Sequence, residues 1–496
     1  MTKQSFIKGA LILVLAGFLT RFLGFINKMI VARVLGAEGV GLYMMAVPTL
    51  LLVLTLTQLG LPIAVSKLIA EAEARHAYDE RRRILQTALL ITTSASIVLS
   101  ILTFFVAPIL ASTFLTDERA LYPLLAIIPV IPIVAVSSVL RGYFQGRQNM
   151  VPTAVSSVVE QVVRITCVAL LTTIFLPYGI EYAAAGAMVS VILGEAFSLI
   201  YLLLQFRKSK RVSAKPSKQA FQRLMKIGMP TTGSRFIGSI SLFFEPILVA
   251  QCLAMYGITA TAGTMLYGEL TGFAIPMILL PTFLTFALST SLVPFVSEAH
   301  SRNDLTAIHY RIHQVIKYSM LSGGISAICL FFFADEIMGA VYHAPETGVY
   351  LSLLAPFSVI LYVQGPLQAV LQAIDSAKQA MVNSLIGAVV KLSAIYVLTA
   401  SFGIMGTAVA IIIGFIVVTC LHVISVATSI GWASDRRFIQ KIILLFTITT
   451  VFAWWTSSYV YSTLTMFVAI FAISCIYVIG IFLLRLVEKR ELKRFS

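Results

Sequence analysis

Basic side chains inside long apolar stretches are the residues of this chain best suited to chemistry. Arg21 and Lys28 lie in the apolar stretch 9–33, and Arg235 lies in the stretch 222–252. A charge near the middle of a membrane-spanning helix costs about 2.5–3.5 kcal/mol on insertion scales, so it persists where it meets a cavity, a partner or a ligand. Guanidinium groups bind pyrophosphate through bidentate, charge-assisted hydrogen bonds. These residues therefore predict a cationic cavity that suits a phosphate-bearing ligand.

Glycines accompany the same two cation-bearing stretches. Gly17 and Gly24 lie about one helical turn before and after Arg21, so they share its helix face and leave space beside it. Gly238 lies in the same relation to Arg235. We expect Arg21 and Arg235 to oppose each other near the middle of the membrane. The alternative is that each arginine pairs with a carboxylate or caps the carbonyls of a broken helix.

Two further cations, Arg164 and Lys391, also lie in apolar stretches and are candidate ligand-binding residues. Glu160 lies one helical turn before Arg164, so the alternative interpretation is that these two charges only neutralise each other. Lys391 has no acid one turn away. Of the two cations, Lys391 is therefore the more informative candidate for ligand binding.

Acids in apolar runs are candidates for binding a coupling proton or cation. Burial favours the neutral form of a carboxylate, which suits proton exchange, whereas a neighbouring arginine favours the ionised form. The candidates are Glu160, Glu195, Glu245 and Glu269. His309 and His313 have helical spacing, but they lie in a basic stretch without a third ligand, so no metal site is expected. No cofactor is expected either.

The elements that position these residues are membrane helices. Of the 496 residues, 59% are hydrophobic and 11% are charged, whereas soluble domains carry roughly 25% charged residues. Each spanning helix needs about 20 apolar residues, so the sequence predicts an all-α polytopic membrane protein with about fourteen transmembrane helices. The apolar runs are 9–33, 41–68, 84–112, 121–145, 152–176, 182–206, 222–252, 262–290, 314–334, 349–373, 380–401, 405–429, 438–457 and 461–486.

The charged residues between these runs alternate in sign, and this alternation sets the topology. Basic residues concentrate in every second connection, including 75–83, 141–147, 207–211 and 302–317. The remaining connections are acidic, and Arg119 is the one basic residue clearly among them. By the positive-inside rule, both termini are expected in the cytoplasm and the protein in the cytoplasmic membrane. The membrane accounts for the net charge of +15, so nucleic acid is not an expected partner.

An internal repeat predicts the domain organisation. ThrArgPheLeuGly (20–24) returns as SerArgPheIleGly (234–238), and GlyAlaMetValSerValIleLeuGly (186–194) returns as GlyThrAlaValAlaIleIleIleGly (406–414). Pro129, Gln145 and Arg164 recur at one constant separation as Pro356, Gln372 and Lys391. Transporter halves related in this way usually enclose the substrate path. The predicted parts are two pseudo-symmetric six-helix bundles (1–206 and 222–430), a basic cytoplasmic linker (207–221), and two C-terminal helices with a basic tail (431–496).

The first helix carries a family resemblance. The stretch ThrArgPheLeuGlyPheIleAsnLysMetIleValAlaArgValLeuGly (20–36) resembles the first helix of the MurJ-type flippases of the MOP exporter superfamily. GlyValGlyLeuTyrMetMetAla (39–46) and LeuThrGlnLeuGlyLeuProIleAlaValSerLys (56–67) are more similar to the sporulation and polysaccharide-exporter members of that superfamily. The similarity in length, number of spans and repeat covers essentially the whole chain.

The resemblance implies alternating access for an undecaprenyl-pyrophosphate-linked peptidoglycan precursor, used in cell wall or spore cortex synthesis. It also implies a lipid-tail groove built partly by the last two helices. Arg21 falls on the family's cavity arginine and Arg33 on a later basic position of the motif. MurJ proteins usually show ArgAsp where this chain has Asn27 and Lys28, so the cation is shifted and its acid is missing. Asn27 and Lys28 therefore join the candidate substrate-binding residues.

Three functions compete for this pattern. The preferred hypothesis is a flippase whose partners are a lipid-linked anionic oligosaccharide, membrane lipids, and a coupling proton or cation. A multidrug exporter of the same superfamily is expected to line its cavity with acids and aromatics, whereas this cavity is predicted to be basic. A membrane enzyme of polysaccharide synthesis requires a large extramembrane loop with catalytic carboxylates, and the loops here are short. The prediction is therefore a transporter without catalytic residues.

Overall fold

The computed structural model describes residues 6–207, 215–431 and 436–487. The middle of the predicted linker (208–214) and the tail after residue 487 lie outside this part of the chain. The described residues form helices and connections, with no β-strand among them. The predicted all-α membrane fold is confirmed.

Eighteen α-helices follow one another along the described chain. They are α1 (Phe6–Gln58), α2 (Leu61–Ala74), α3 (Tyr78–Ile109), α4 (Leu121–Ala126), α5 (Val130–Gly146), α6 (Val151–Phe175), α7 (Ile180–Arg207), α8 (Lys218–Met255), α9 (Ala260–Gly268), α10 (Ile275–Leu279), α11 (Thr282–Ser301), α12 (Leu305–Phe332), α13 (Ala334–Tyr342), α14 (Gly348–Ala373), α15 (Ala377–Phe402), α16 (Ile404–Ile430), α17 (Arg436–Ser457) and α18 (Thr463–Leu483).

Fourteen segments of the described chain are long and apolar enough to cross a membrane, as predicted. The division differs in two places. Leu15–Ala74 is one continuous segment that includes most of the first predicted run and all of the second, although the backbone breaks at Gly36, between the two runs, with φ 64°. The predicted run 262–290 instead corresponds to Ala260–Leu279 and the start of Thr282–Ser301. In this second place the hydropathy pattern does not register the backbone break, because apolar residues continue through it.

Local sequence explains where several helices begin. Asp304 and Thr259 accept hydrogen bonds from backbone N–H groups in the first turns of α12 and α9, which satisfies donors that a helix leaves unpaired. Ser462 and Thr465 form a reciprocal capping pair at the start of α18. The acidic residues Asp79 and Glu80 occupy the first turn of α3, where the helix dipole favours negative charge.

The junction between α1 and α2 is a sharp bend at Leu59 and Gly60, which have φ angles of 46° and 62°. A β-carbon on Gly60 would lie 2.0 Å from Thr231 Oγ1 and 2.5 Å from the carbonyl oxygen of Gly228, both on α8. Only glycine combines this positive φ with so close an approach. The bend therefore fixes α2 against α8.

Internal contacts divide the chain into two compact units. The first unit comprises Met1–Gly272 and Ile395–Ile404, and the second unit comprises Phe273–Ala394 and Met405–Ser496. In the first unit, Arg223 of α8 forms ion pairs with Glu71, at 3.0 Å, and with Glu80. The predicted bundles were defined by the sequence repeat rather than by contacts, and their boundaries stay a prediction.

Glycines allow close helix packing in the first unit. Gly142 and Gly146 of α5 are next to the carbonyl oxygens of Pro62 and Ser66 on α2, where a β-carbon would approach to 2.5 Å in each case. The apolar core beside them joins α2, α3, α5 and α8.

In the second unit, α17 and α18 pack against α12. The Tyr477 hydroxyl donates a 2.7 Å hydrogen bond to the carbonyl oxygen of Leu321, and a β-carbon on Gly324 would lie 2.2 Å from Phe446 Cζ. Ile442 and Leu445 complete this apolar contact. The last two helices are thus attached to the second unit through one face of α12.

Candidate functional site

Arg21 lies at an exposed position of α1, with open space on its helix face. A β-carbon added to Gly17 would meet no heavy atom within 4 Å, and one added to Gly24 would meet only Gln161 Oε1, at 3.8 Å. The two glycines therefore leave volume beside the cation, in agreement with their spacing.

Lys28, seven residues after Arg21, continues the same face of α1, and Asn27 precedes it on the neighbouring, buried side. The Lys28 side chain is exposed, whereas Asn27 is only 6% exposed. The Asn27 Oδ1 atom makes no hydrogen bond with the described part of the chain. An acceptor buried in this way is costly unless a donor reaches it, so Asn27 is poised to bind a hydrogen-bond donor.

Arg235 occupies an exposed position of α8 in the same unit. A β-carbon on Gly238 would meet nothing within 4 Å, and the Ser239 Oγ lies 2.7 Å from Thr55 Oγ1 of α1. The Ser239–Thr55 hydrogen bond links α8 to the second half of α1. The expected opposition of Arg21 and Arg235 stays a prediction.

A four-charge cluster lies between α5, α6 and α7. Arg164 Nη2 donates to Glu160 Oε1 at 2.7 Å. The two side chains thus form the ion pair that the alternative interpretation expects. Arg141 Nη2 lies 2.9 Å from Glu160 Oε2 and 3.4 Å from Glu195 Oε2. It also donates to Ser198 Oγ at 2.9 Å. Two partly buried arginines and two buried glutamates thus form one network of ion pairs whose formal charges cancel.

Arg141 is the member of this charge cluster that sequence reasoning missed. The sequence pattern grouped it with the basic turn that ends at Arg147, but it belongs to α5 and its side chain points to the two glutamates. Its position inside the predicted run 121–145 was the available signal. An arginine in that run requires a partner, and Glu160 and Glu195 supply it.

The second unit repeats one contact of the charge cluster but not its acids. Gly194 packs on Arg164, with a β-carbon distance of 3.3 Å to Arg164 Cβ, and Gly414 packs on Lys391 at 3.2 Å. At the position that repeats Glu160, Gly387 packs closely against Val418 instead. Each cation therefore has a glycine beside it, but only the first repeat carries the carboxylates.

The other predicted acids lie elsewhere. Glu245 of α8 is 7% exposed, and Glu269, at the π-helical turn after α9, is 6% exposed. Within the described ranges, no three His, Cys, Asp or Glu side chains come together as a metal site. His309 Nε2 pairs with the carbonyl oxygen of Ile430, and the His313 ring contacts Phe438.

A second polar cluster, which the sequence did not predict, lies around the loop between α3 and α4. Arg119 binds both carboxylate oxygens of Asp117, at 3.0 and 2.9 Å, and also pairs with Glu38 of α1. Thr264 of α9 donates to Asp117 Oδ2 at 2.8 Å. Burial alone would raise the pKa of Asp117, but the hydrogen bonds from Arg119 and Thr264 outweigh it and hold this pKa below its usual value.

Two family models match this chain. The model for polysaccharide biosynthesis proteins matches residues 6–300, more than half of the chain. The MatE model matches residues 246–397.

Two relatives from Bacillus subtilis (strain 168) illustrate the similarity. Stage V sporulation protein B is 50% identical over 508 aligned residues, which cover 100% of this chain and 98% of the relative. Lipid II flippase MurJ is 25% identical, with 78% of this chain and 76% of the relative covered.

Solved structures show the same fold. A structure of lipid II flippase MurJ in an inward closed conformation aligns with a TM-score of 0.74 at 16% identity, covering 94% of this chain and 97% of that one. An inward-facing multidrug resistance MATE family transporter of the MOP superfamily aligns with a TM-score of 0.65 at 14% identity, covering 83% and 94%.

Proposed function

Because this chain belongs to the polysaccharide biosynthesis protein family of the MOP superfamily, we propose that it flips an undecaprenyl-pyrophosphate-linked oligosaccharide across the cytoplasmic membrane. The substrate class is a peptidoglycan precursor or a related lipid-linked sugar, for cell wall or spore cortex synthesis. Transport occurs by alternating access, and the protein acts as a carrier rather than an enzyme. Both termini lie in the cytoplasm.

The observation that carries this proposal is the open, cationic face of α1. Arg21 and Lys28 occupy exposed positions there, and the stretch 20–36 contains no acid. Gly17 and Gly24 leave room beside them. A pyrophosphate group matches this face in charge, and an arginine fork can bind it through two parallel hydrogen bonds. Arg235 on α8 adds a further cation in the same unit.

The substrate's polyprenyl tail requires an apolar path outside the polar cavity. In our proposal, α17 and α18 provide that path. Their outward positions carry large exposed apolar side chains, among them Ile443, Ile448, Phe467 and Phe471. Apolar surface of this kind suits lipid on one side and the substrate tail on the other.

A coupling proton or cation remains part of the proposal. Glu160, Glu195, Glu245 and Glu269 are all buried, as a coupling site requires. Glu160 and Glu195 pair with Arg141, whereas Glu245 and Glu269 lie outside this cluster, so the four acids offer two kinds of candidate coupling site.

Export of cationic drugs is the second candidate function, favoured by the MatE match over residues 246–397. A cavity for cationic drugs is expected to offer uncompensated acids. Glu160 and Glu195 instead form ion pairs with Arg141, and Glu160 also pairs with Arg164, while the stretch 20–36 around Arg21 and Lys28 contains no acid. The charge pattern therefore favours an anionic substrate.

Reconstituted vesicles test the proposal directly. Purified protein is placed in vesicles with labelled undecaprenyl-pyrophosphate disaccharide-pentapeptide, and the accessibility of the label is followed on each face. We expect Arg21→Ala and Arg235→Ala each to abolish flipping while membrane abundance stays near normal. Lysine replacements should rescue poorly, because an ammonium cannot form the same fork.

The matched control is Arg302→Ala, because Arg302 is 73% exposed and pairs only with its helix neighbour Glu298 in a surface ion pair. This variant should flip the lipid at the wild-type rate. If both cavity variants kept full activity, the cationic site would be wrong. Ethidium efflux without lipid flipping would favour the drug-export function instead.

A further inference from the structure

Beside the cationic face of α1, the structure contains a group of polar atoms with unused hydrogen-bonding capacity. Gly24, Asn27 and Lys28 are three and four residues apart, so they share one face of α1. The Gly24 β-carbon position lies 3.8 Å from Gln161 Oε1, so this face looks towards α6 at Gln161. Asn27, one turn after Gly24 on α1, and Gln161 on α6 are therefore placed near the packed faces of these two helices.

The amide oxygens of these two residues lack donors within the described chain. Asn27 Oδ1 and Gln161 Oε1 are both buried and make no hydrogen bond with the described residues. The Nε atoms of Arg141 and Arg164 are buried donors that likewise make no hydrogen bond with the described residues. Buried polar atoms nearly always have partners, so unused acceptors and donors in one region indicate a place where a polar ligand binds.

The Arg141–Glu160–Arg164–Glu195 network differs in charge from the proposed pyrophosphate site. The formal charges of Arg141 and Arg164 match those of Glu160 and Glu195, so this network attracts an anion less than the cationic face of α1 does. Uncharged hydroxyl groups fit it better. A hydroxyl can donate to an amide oxygen and accept from a guanidinium N–H at the same time.

The region is also confined to one repeat. The positions that repeat Glu160 and Gln161 are Gly387 and Ala388, which carry no hydrogen-bonding side chain. Gly387 instead packs against Val418. Polar side chains in only one of the two repeats suit a substrate that carries its sugar on one side of the pyrophosphate.

We propose that Asn27 and Gln161, supported by the neutral Arg141–Glu160–Arg164–Glu195 network, form a subsite for the uncharged sugar hydroxyls of the substrate. This inference rests on the proposed function. Asn27 is adjacent to Lys28 and six residues after Arg21 on α1, so the subsite lies next to the cations that bind the pyrophosphate. Sugar-bearing and sugar-free lipids are thereby distinguished by amides rather than by charge.

Binding measurements with two probes test the subsite in the full-length protein. The probes are undecaprenyl pyrophosphate, which lacks sugar, and the same lipid carrying the disaccharide-pentapeptide. Gln161→Ala and Asn27→Ala each remove an amide oxygen that accepts a hydrogen bond from the sugar in our proposal. We expect each to weaken binding of the sugar-bearing lipid about tenfold and to change binding of the sugar-free lipid less than about twofold. Arg21→Ala should weaken both.

Gln314→Ala is the matched control, because Gln314 is a buried amide of α12 that already pairs with Arg311. It should leave both affinities unchanged. Gln161→Leu, which keeps the side-chain size, separates lost hydrogen bonding from lost packing and should behave like Gln161→Ala. Equal losses for both probes, or no loss, would overturn the subsite while leaving the flippase proposal intact. Failure of the wild-type protein to bind either lipid would overturn both.

Discussion

Thr264 donates a hydrogen bond of 2.8 Å to the carboxylate of Asp117, across 147 residues of sequence. Arg119 holds the same carboxylate with two hydrogen bonds and also pairs with Glu38. A β-carbon on Gly41 would lie 2.0 Å from the carbonyl oxygen of Thr264, so α1 and α9 touch through their backbones here. Asp117 therefore joins three separate segments of the first unit.

This junction should make the first unit sensitive to acid. The pKa of Asp117 is depressed, so the stability it contributes is complete above the ordinary aspartate pKa of about 4 and is lost as pH falls through the lower folded value. We expect Asp117→Asn to lower the free energy of unfolding at pH 7 by about 1–3 kcal/mol. Thermal unfolding in detergent between pH 3 and pH 7 measures this.

Glu118→Gln is the control for that experiment, since Glu118 lies in the same loop but is exposed. It should unfold like the wild-type protein at each pH. Because Asp117→Asn removes the titrating group, its stability should fall less steeply below pH 4. A parallel pH dependence in the wild type and in Asp117→Asn would contradict the assignment.

Removing Arg141 should destabilise the first unit strongly. Arg141→Gln leaves Glu160 with one partner and Glu195 without its ion pair, and breaking a buried ion pair costs about 3–5 kcal/mol. Arg302→Gln breaks an exposed pair, which is worth about 0–1 kcal/mol. Thermal unfolding of both variants gives the comparison. Similar melting temperatures for the two would show that the cluster carries little stability.

Gly268 should be intolerant of a larger side chain. A β-carbon there would lie 2.1 Å from the carbonyl oxygen of Ala37 and 2.6 Å from the backbone nitrogen of Gly41, and neither backbone atom can rotate away. We expect Gly268→Ala to cost about 1–3 kcal/mol of stability. Gly233→Ala, whose β-carbon meets nothing within 4 Å, should be neutral or stabilising. Folded yield and melting temperature distinguish the two.

Labelling of engineered cysteines tests the predicted topology. In a variant whose five native cysteines are replaced, a single cysteine at position 212 should resist a membrane-impermeant maleimide in intact cells. A cysteine at position 118 should be labelled, because the acidic connections are expected outside. Strong labelling at position 212 would reverse the orientation.

Loss of α17 and α18 should affect long-chain substrates most. A truncation after Arg437 uncovers Leu321 and Gly324 of α12, so melting temperature must be measured alongside transport. In a truncated protein that stays folded, we expect flipping of the lipid to fall more than binding of a soluble headgroup analogue. Gly324→Ala, which displaces Phe446 without deleting the helices, should show a milder form of the same effect. Equal loss of both activities would indicate a purely structural role.

The sequence by itself determined the membrane class, the number of spans and the family. These properties depend on hydrophobicity summed over about 20 residues and on motifs such as 20–36, which are local. The glycine pattern around Arg21 also predicted the open space on α1, because side chains one turn apart share a helix face. The ion pair of Glu160 and Arg164 was readable for the same reason, as one of two interpretations.

Tertiary structure alone decided which distant groups meet. Glu195 and Arg141 are 54 residues apart and belong to different helices, so no periodicity relates them. The bonds from Arg119 to Glu38 and from Thr264 to Asp117 depend on how loops and helix ends come together. Hydropathy also placed the run 262–290 across a break at Pro281 that only the folded backbone reveals. Packing between helices is set by side-chain shape and by backbone breaks, which a one-dimensional pattern of apolar residues does not encode.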